Sequence, residues 1–185
     1  MKALAASLLI AAMASAPAAD AVTRAVALCM DIPLDGVPVS ETFAAGGWER
    51  ADRTALPDLV APHACGDPEK AAALMAQFTQ TLDFSGGLFR KSGVTVLAAD
   101  NRGGDIVDRL CFITSANAAG TTALMADLPV AAPASQGYSA RETAPDNIVE
   151  AFGWRGDHQI HAGRCANSDP TDAIKIRRLL RKIPQ

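Results

Sequence analysis

Only three histidines are available for acid–base or metal chemistry, and two of them stand in the run His158-Gln159-Ile160-His161. On a helix this spacing puts both imidazoles on one face, where they can share a metal. On a strand it puts them on opposite faces, where they cannot. The surrounding residues read as strand, so what remains is one imidazole, His158 or His161, as a general base oriented by Asp157 or Asp146. No nucleophile stands out. The nearest approach to a serine-hydrolase elbow, Gly137-Tyr138-Ser139-Ala140-Arg141, has arginine in place of its second glycine and no strand-to-helix pattern around it. Catalytic residues are therefore unassigned, and no cofactor or metal is expected. His63, close to Cys65, reads as a surface loop histidine.

Three further stretches invite a chemical reading. Asp100-Asn101-Arg102-Gly103-Gly104-Asp105 has a superficial likeness to a calcium loop but lacks its alternating acids and closing glutamate, and a hairpin turn accounts for it. Arg155-Gly156-Asp157 spells an integrin-binding tripeptide, and a Gly-Asp turn explains it equally. Lys175, Arg177, Arg178, Arg181 and Lys182 crowd one side of a predicted C-terminal helix, opposite Ile176, Leu179, Leu180 and Ile183. Such a basic helix suits an anionic surface or an acidic partner, and its cations also complement the helix dipole.

The four cysteines, Cys29, Cys65, Cys111 and Cys165, carry no redox or haem-attachment spacing. An even number in an exported chain reads as two disulfides with three connectivities. We expect Cys29–Cys65 and Cys111–Cys165, each pair within one half of the chain. Export is expected from the start of the chain, where Met1-Lys2 and the apolar run Ala3 to Met13 precede small residues in the manner of a signal peptide. Cleavage after Ala21 avoids a leading Pro17 and leaves residues 22–185 as one domain. A lipidation box at Val26-Ala27-Leu28-Cys29 is disfavoured by Leu28, where a small residue is required.

The elements that must position these residues follow from periodicity. Val22, Val26, Cys29 and Met30 recur at helical spacing, and Pro38 opens a second short helix carrying Val39 and Phe43. Residues 49–66 read as irregular. Asp67-Pro68-Glu69 then starts a helix whose apolar face is Ala71, Leu74, Met75, Phe78 and Leu82. The alternating stretch from Gly93 to Ala116 predicts a central hairpin, with Asp100 to Gly104 in its turn. A helix is predicted over 117–128, a short edge strand within 136–143, and a second hairpin over 147–165. The C-terminal segment from Asp169 reads as helix, with a strand over 173–178 as the alternative. The sum is an α+β fold: a small antiparallel sheet of two β-hairpins with amphipathic helices on one face.

The net charge of −3 and the single tyrosine argue against nucleic acid as a partner. No second long apolar segment follows the leader. The expected function is a non-catalytic periplasmic or secreted binding module for an envelope protein or surface polymer. Trp154, Arg155, Asp157 and His158 form its contact patch, since aromatic and arginine side chains anchor interfaces. The alternative is a small hydrolase with one of the histidines as base.

Overall fold

The hairpin expected between Gly93 and Ala116 is the middle of an antiparallel sheet of eight strands among the described residues. The computed structural model describes residues 20–30, 38–64, 66–84, 86–103, 106–115, 139–143, 148–155, 158–165 and 172–181. The strands are β1 (Glu49–Ala51), β2 (Gly87–Lys91), β3 (Val94–Gly103), β4 (Ile106–Ser115), β5 (Ser139–Thr143), β6 (Ile148–Arg155), β7 (His158–Cys165) and β8 (Asp172–Arg181). Their order across the sheet is β1-β2-β3-β4-β8-β7-β6-β5. The helices among the described residues are α1 (20–30), α2 (Val39–Ala45), α3 (Leu56–Ala64) and α4 (Pro68–Phe84), with a 3-10 turn at Arg53–Ala55 leading into α3. The α+β class and both expected hairpins are present, and the sheet extends beyond them.

Local chemistry explains the elements closest to the centre. Ser92 and Gly93 join β2 to β3 with φ angles of 50° and 76°. Two successive positive φ values match the right-handed twist of the flanking strands. Gly87 opens β2 where a Cβ would lie 2.3 Å from the Phe89 ring, so only glycine fits there without displacing that ring. The Asp67 carboxylate caps α4, accepting from the Glu69 and Lys70 N–H groups at 2.9 and 3.0 Å. The apolar face of α4 is the expected one, with Phe78 fully buried and Ala71, Leu74, Met75 and Leu82 packed around it.

Helices cover both faces of the sheet, which corrects the expectation of one covered face. Alternation along β3 and β4 separates two cores. Val94, Val96, Ala98, Cys111 and Ile113 pack with α1 and α2, including Ala21, Val22, Cys29, Val39 and Phe43. Leu97 and Phe112 pack on the opposite face with Leu56, Leu59 and Val60 of α3 and Phe78 of α4. A central strand apolar on both sides needs a helix layer on each. Trp48 is buried edge-on to Phe43, with ring centroids 5.1 Å apart.

Further corrections follow. Cys29 is bonded to Cys111, with Cα atoms 6.2 Å apart, which overturns both expected pairings. The bridge ties α1 to β4 because α1 lies on the face that Cys111 shares with Val96 and Ala98. Residues 56–64 form α3 although they were expected to be irregular. Pro57 falls in its first turn, where no intrahelical N–H bond is lost. Its buried side chains, Leu56, Leu59, Val60 and Ala64, keep helical spacing through Pro62. His63 is accordingly a half-buried helix residue, not one of a surface loop. Asp100 to Gly103 belong to β3 rather than to a turn. The C-terminal segment is strand β8, not a basic helix. The predicted helix over 117–128 lies outside the described residues.

Candidate functional site

The second hairpin, β6–β7, holds most of the residues singled out for contact. Its last register pairs are Trp154↔Gln159 and Arg155↔His158. On its other side β7 pairs with β8, setting His158 opposite Arg178 and Gln159 opposite Arg177. Two adjacent rows result. Trp154, Gln159 and Arg177 share the sheet face of α3 and α4, in line with Leu110. Arg155, His158 and Arg178 share the face of α1 and α2, in line with Arg109 and Asp100. The expected contact residues Trp154, Arg155 and His158 thus stand together at one end of the sheet but on both of its faces. Asp157 lies outside the described residues.

The histidines of the His-x-x-His run divide in the same way. His158 is in register with Arg178, while His161 belongs to the opposite face, between Phe152 and Lys175. His63, the third, is on α3 with its ring edge-on to Phe112 and Phe78 at 5.5 and 6.3 Å. The three therefore stand at three separate positions in the fold. Among the described residues no group of three or more His, Cys, Asp and Glu side chains is arranged to hold a metal ion.

Sequence reasoning missed a buried ion pair at the inner end of the basic row. The Arg109 Nε and Nη2 donate to the two Asp100 carboxylate oxygens at 2.8 and 3.2 Å, and both side chains are almost wholly buried. The Val39 N–H, at the start of α2, also donates to Asp100 at 3.4 Å. A carboxylate at this position satisfies a helix N-terminal donor and neutralises a buried guanidinium together. The pairing follows from the strand register, in which Gly103 stands opposite Ile106 and Asp100 opposite Arg109.

A groove of about 1000 Å³ opens where α3 passes over the end of the β2–β3 hairpin. Its lining includes Asp58, Pro62, Gly66, Arg90, Thr95 and Thr114. The register joins Arg90, Thr95 and Thr114 in one row, so two threonine hydroxyls and a guanidinium contribute to its lining. Arg90 is ion-paired with Asp58 across it, and Lys91 donates to the Gly46 carbonyl at 3.1 Å. This arrangement supplies hydroxyls and a compensated ion pair, not a nucleophile beside a base.

Near the groove, the Asp52 carboxyl is held below the usual carboxylate range. The Thr54 hydroxyl contributes most, followed by the Thr54 N–H, and both donate to the charged form. That geometry is the cap of the 3-10 turn, a structural role. Among the described residues no helix is long and apolar enough to cross a membrane.

No protein-family model, curated protein or solved structure matches this chain.

Proposed function

We propose that the protein is an exported, disulfide-stapled binding module that engages an envelope protein or surface polymer through the β6–β7 end of its sheet. Residues 1–21 act as a signal peptide, and the mature domain works in the periplasm or outside the cell. The apolar run Ala3–Met13 and the Cys29–Cys111 bridge support that localisation, since disulfides persist in oxidising compartments. Ala21, the last residue of this leader, is itself buried with Val22. N-terminal sequencing of the exported protein fixes the cleavage point.

One observation carries the binding role. The register gathers Trp154, Arg155, His158, Arg177 and Arg178 into two adjacent rows at one end of the sheet. Aromatic and arginine side chains dominate the energetics of protein interfaces, and a strand end offers both faces at once. Of the helices, α2 packs on β2 and β3, α4 packs on β3, and α3 reaches from β3 and β4 to β8 and β7.

The test is capture from envelope extract by the wild type and by a Trp154→Ala, Arg155→Ala double variant, with circular dichroism checking that the variant folds. A partner retained by the wild type and lost by the folded variant establishes the module and its surface. Equal capture by both sinks the assignment of the β6–β7 end.

A further inference from the structure

We propose that the groove between α3 and the end of the β2–β3 hairpin binds a neutral oligosaccharide, at a site built on β1 to β4 rather than on the β6–β7 end. One side of the groove is a continuous cross-strand row, Glu49↔Arg90, Arg90↔Thr95 and Thr95↔Thr114, and all four residues line it. Neighbouring strands are about 4.8 Å apart, so the row runs for roughly 14 Å. From α3 the groove takes Asp58, Ala61 and Pro62. A volume of about 1000 Å³ is at the upper end for small-molecule sites and holds a short oligosaccharide.

Two observations point to a ligand. Thr95 and Thr114 are only 7% and 5% exposed, yet among the described residues neither hydroxyl is hydrogen-bonded within the chain. A hydroxyl held out of bulk water costs stability unless something bonds to it, and what fills the groove is within reach of both. Beside them, Arg90 and Asp58 meet through one guanidinium nitrogen and one carboxylate oxygen, which leaves further donors and lone pairs on each. Glu49 adds a second carboxylate at the outer end of the row.

Charge and backbone pairing define the ligand class. Among the described residues of the lining, the acids Glu49 and Asp58 are matched by the bases Arg90 and Lys91, so no net charge selects an ion. Carboxylates need donors, a guanidinium needs acceptors, and a threonine hydroxyl takes either. Sugar hydroxyls both donate and accept, so a row of them satisfies all three groups without breaking the Arg90–Asp58 pair. An extended peptide fits less well, because it gains affinity by pairing its main chain with a free strand edge. Here β2, β3 and β4 are each already paired on both sides. Ala61 and Pro62 offer an apolar surface to the C–H faces of the rings.

The experiment titrates the full exported domain with maltotriose, cellotriose and tri-N-acetylchitotriose, by calorimetry and by amide NMR shifts. Trigalacturonate and trialanine are run in parallel as a charged sugar and a peptide. At least one neutral trisaccharide should bind and shift the amides of Arg90, Thr95 and Thr114. A Thr95→Val, Thr114→Val variant should weaken that binding about tenfold or more. It keeps the β-branched shape and loses no hydrogen bond within the chain, so its thermal midpoint should hold. Arg90→Gln, at an exposed position, carries the same expected loss and covers the case in which the double variant does not fold. Thr81→Val removes a hydroxyl from α4 that bonds the Gln77 carbonyl, outside the groove lining, and should leave affinity within about twofold.

Absence of binding by all three neutral trisaccharides overturns the proposal. So does binding that the Thr95, Thr114 and Arg90 variants leave intact, or that Thr81→Val weakens equally. Binding of trigalacturonate or trialanine alone overturns it too, because the ligand is then an anion or a peptide. If no sugar binds while envelope capture still depends on Trp154 and Arg155, the groove assignment fails and the binding module stands.

Discussion

The Cys29–Cys111 bridge makes a quantitative prediction. It closes a loop across a sequence separation of 82 residues and joins the first helix to a central strand. Loop-closure entropy for that length corresponds to about 4.5 kcal/mol of stabilisation, acting through the unfolded chain. Domains of this size are stable by about 5–15 kcal/mol, so the bridge accounts for a large share of the total. Both cysteines are fully buried in the α1–α2 core, so Cys29→Ala with Cys111→Ala avoids leaving buried hydroxyls without hydrogen bonds. With a urea m-value of about 2 kcal/mol/M, the unfolding midpoint should fall by roughly 2 M. The m-value should rise, because the unlinked chain exposes more surface. Non-reducing peptide mapping of the wild type should recover one linked peptide pair containing Cys29 and Cys111. A Cys29–Cys65 peptide, or a double variant with an unchanged midpoint, refutes the reasoning.

Other expectations can be checked on the same protein. If two disulfides form, the connectivity that retains Cys29–Cys111 joins Cys65 to Cys165. The same peptide map should show that second pair, and free thiols at both positions would exclude it. Asp100→Asn should cost about 3–5 kcal/mol in urea unfolding, because it leaves the buried Arg109 charge without its carboxylate. Replacing both partners by apolar residues should cost less, and equal losses would mean the pair is not what holds α2. Phe112→Ala should cost about 3–5 kcal/mol, since Phe112 packs against Phe78 at 4.4 Å and against His63. A loss under 1 kcal/mol would place Phe112 outside the core. Asp52 has a lowered folded-state pKa, so its contribution is present above the ordinary carboxylate value and lost as pH falls through the lowered one. In an NMR titration, Thr54→Ala should return Asp52 part of the way toward the ordinary range, and an unchanged midpoint would remove the Thr54 hydroxyl as the main cause.

Short-range signals in the sequence located elements well and partners poorly. The Asp67-Pro68-Glu69 cap and the spacing of Leu74, Phe78 and Leu82 define α4 because capping and amphipathicity act within a few residues. The alternation from Ile106 to Thr114 reports the strand and its two faces for the same reason. α3 was hidden by Pro57 and Pro62, although Leu56, Leu59 and Val60 keep helical spacing around them. Pairing Cys29 with Cys65 followed closeness along the chain. The actual partner depends on which sheet face α1 covers, and that is decided by tertiary packing. The Asp100–Arg109 pair was obscured by placing the turn at Asp100 to Gly104, where Asp100 to Gly103 continue β3. With β3 running to Gly103 and paired to a β4 that begins at Ile106, the two residues stand opposite each other.

The segment Asp172–Arg181 shows how one change of secondary structure redistributes chemistry. As a helix, it would have gathered Lys175, Arg177, Arg178 and Arg181 on one side, a single charged stripe suited to an anionic surface. As strand β8 between β4 and β7, it divides them by parity. Lys175, Arg177 and Arg181 go to the α3–α4 face, and Arg178 goes to the α1–α2 face opposite Arg109 and His158. Ile176, Leu179, Leu180 and Ile183 fit a period of 3.6 while Ile174, Ile176 and Leu180 fit a period of 2, so a local pattern does not choose between them. The choice is made by β4 and β7, each of which offers a full edge of backbone donors and acceptors to this segment. The basic row is thus a product of pairing rather than of any contiguous motif. Its residues come from four strands, spread between Arg109 and Arg178, and only the register brings them into line.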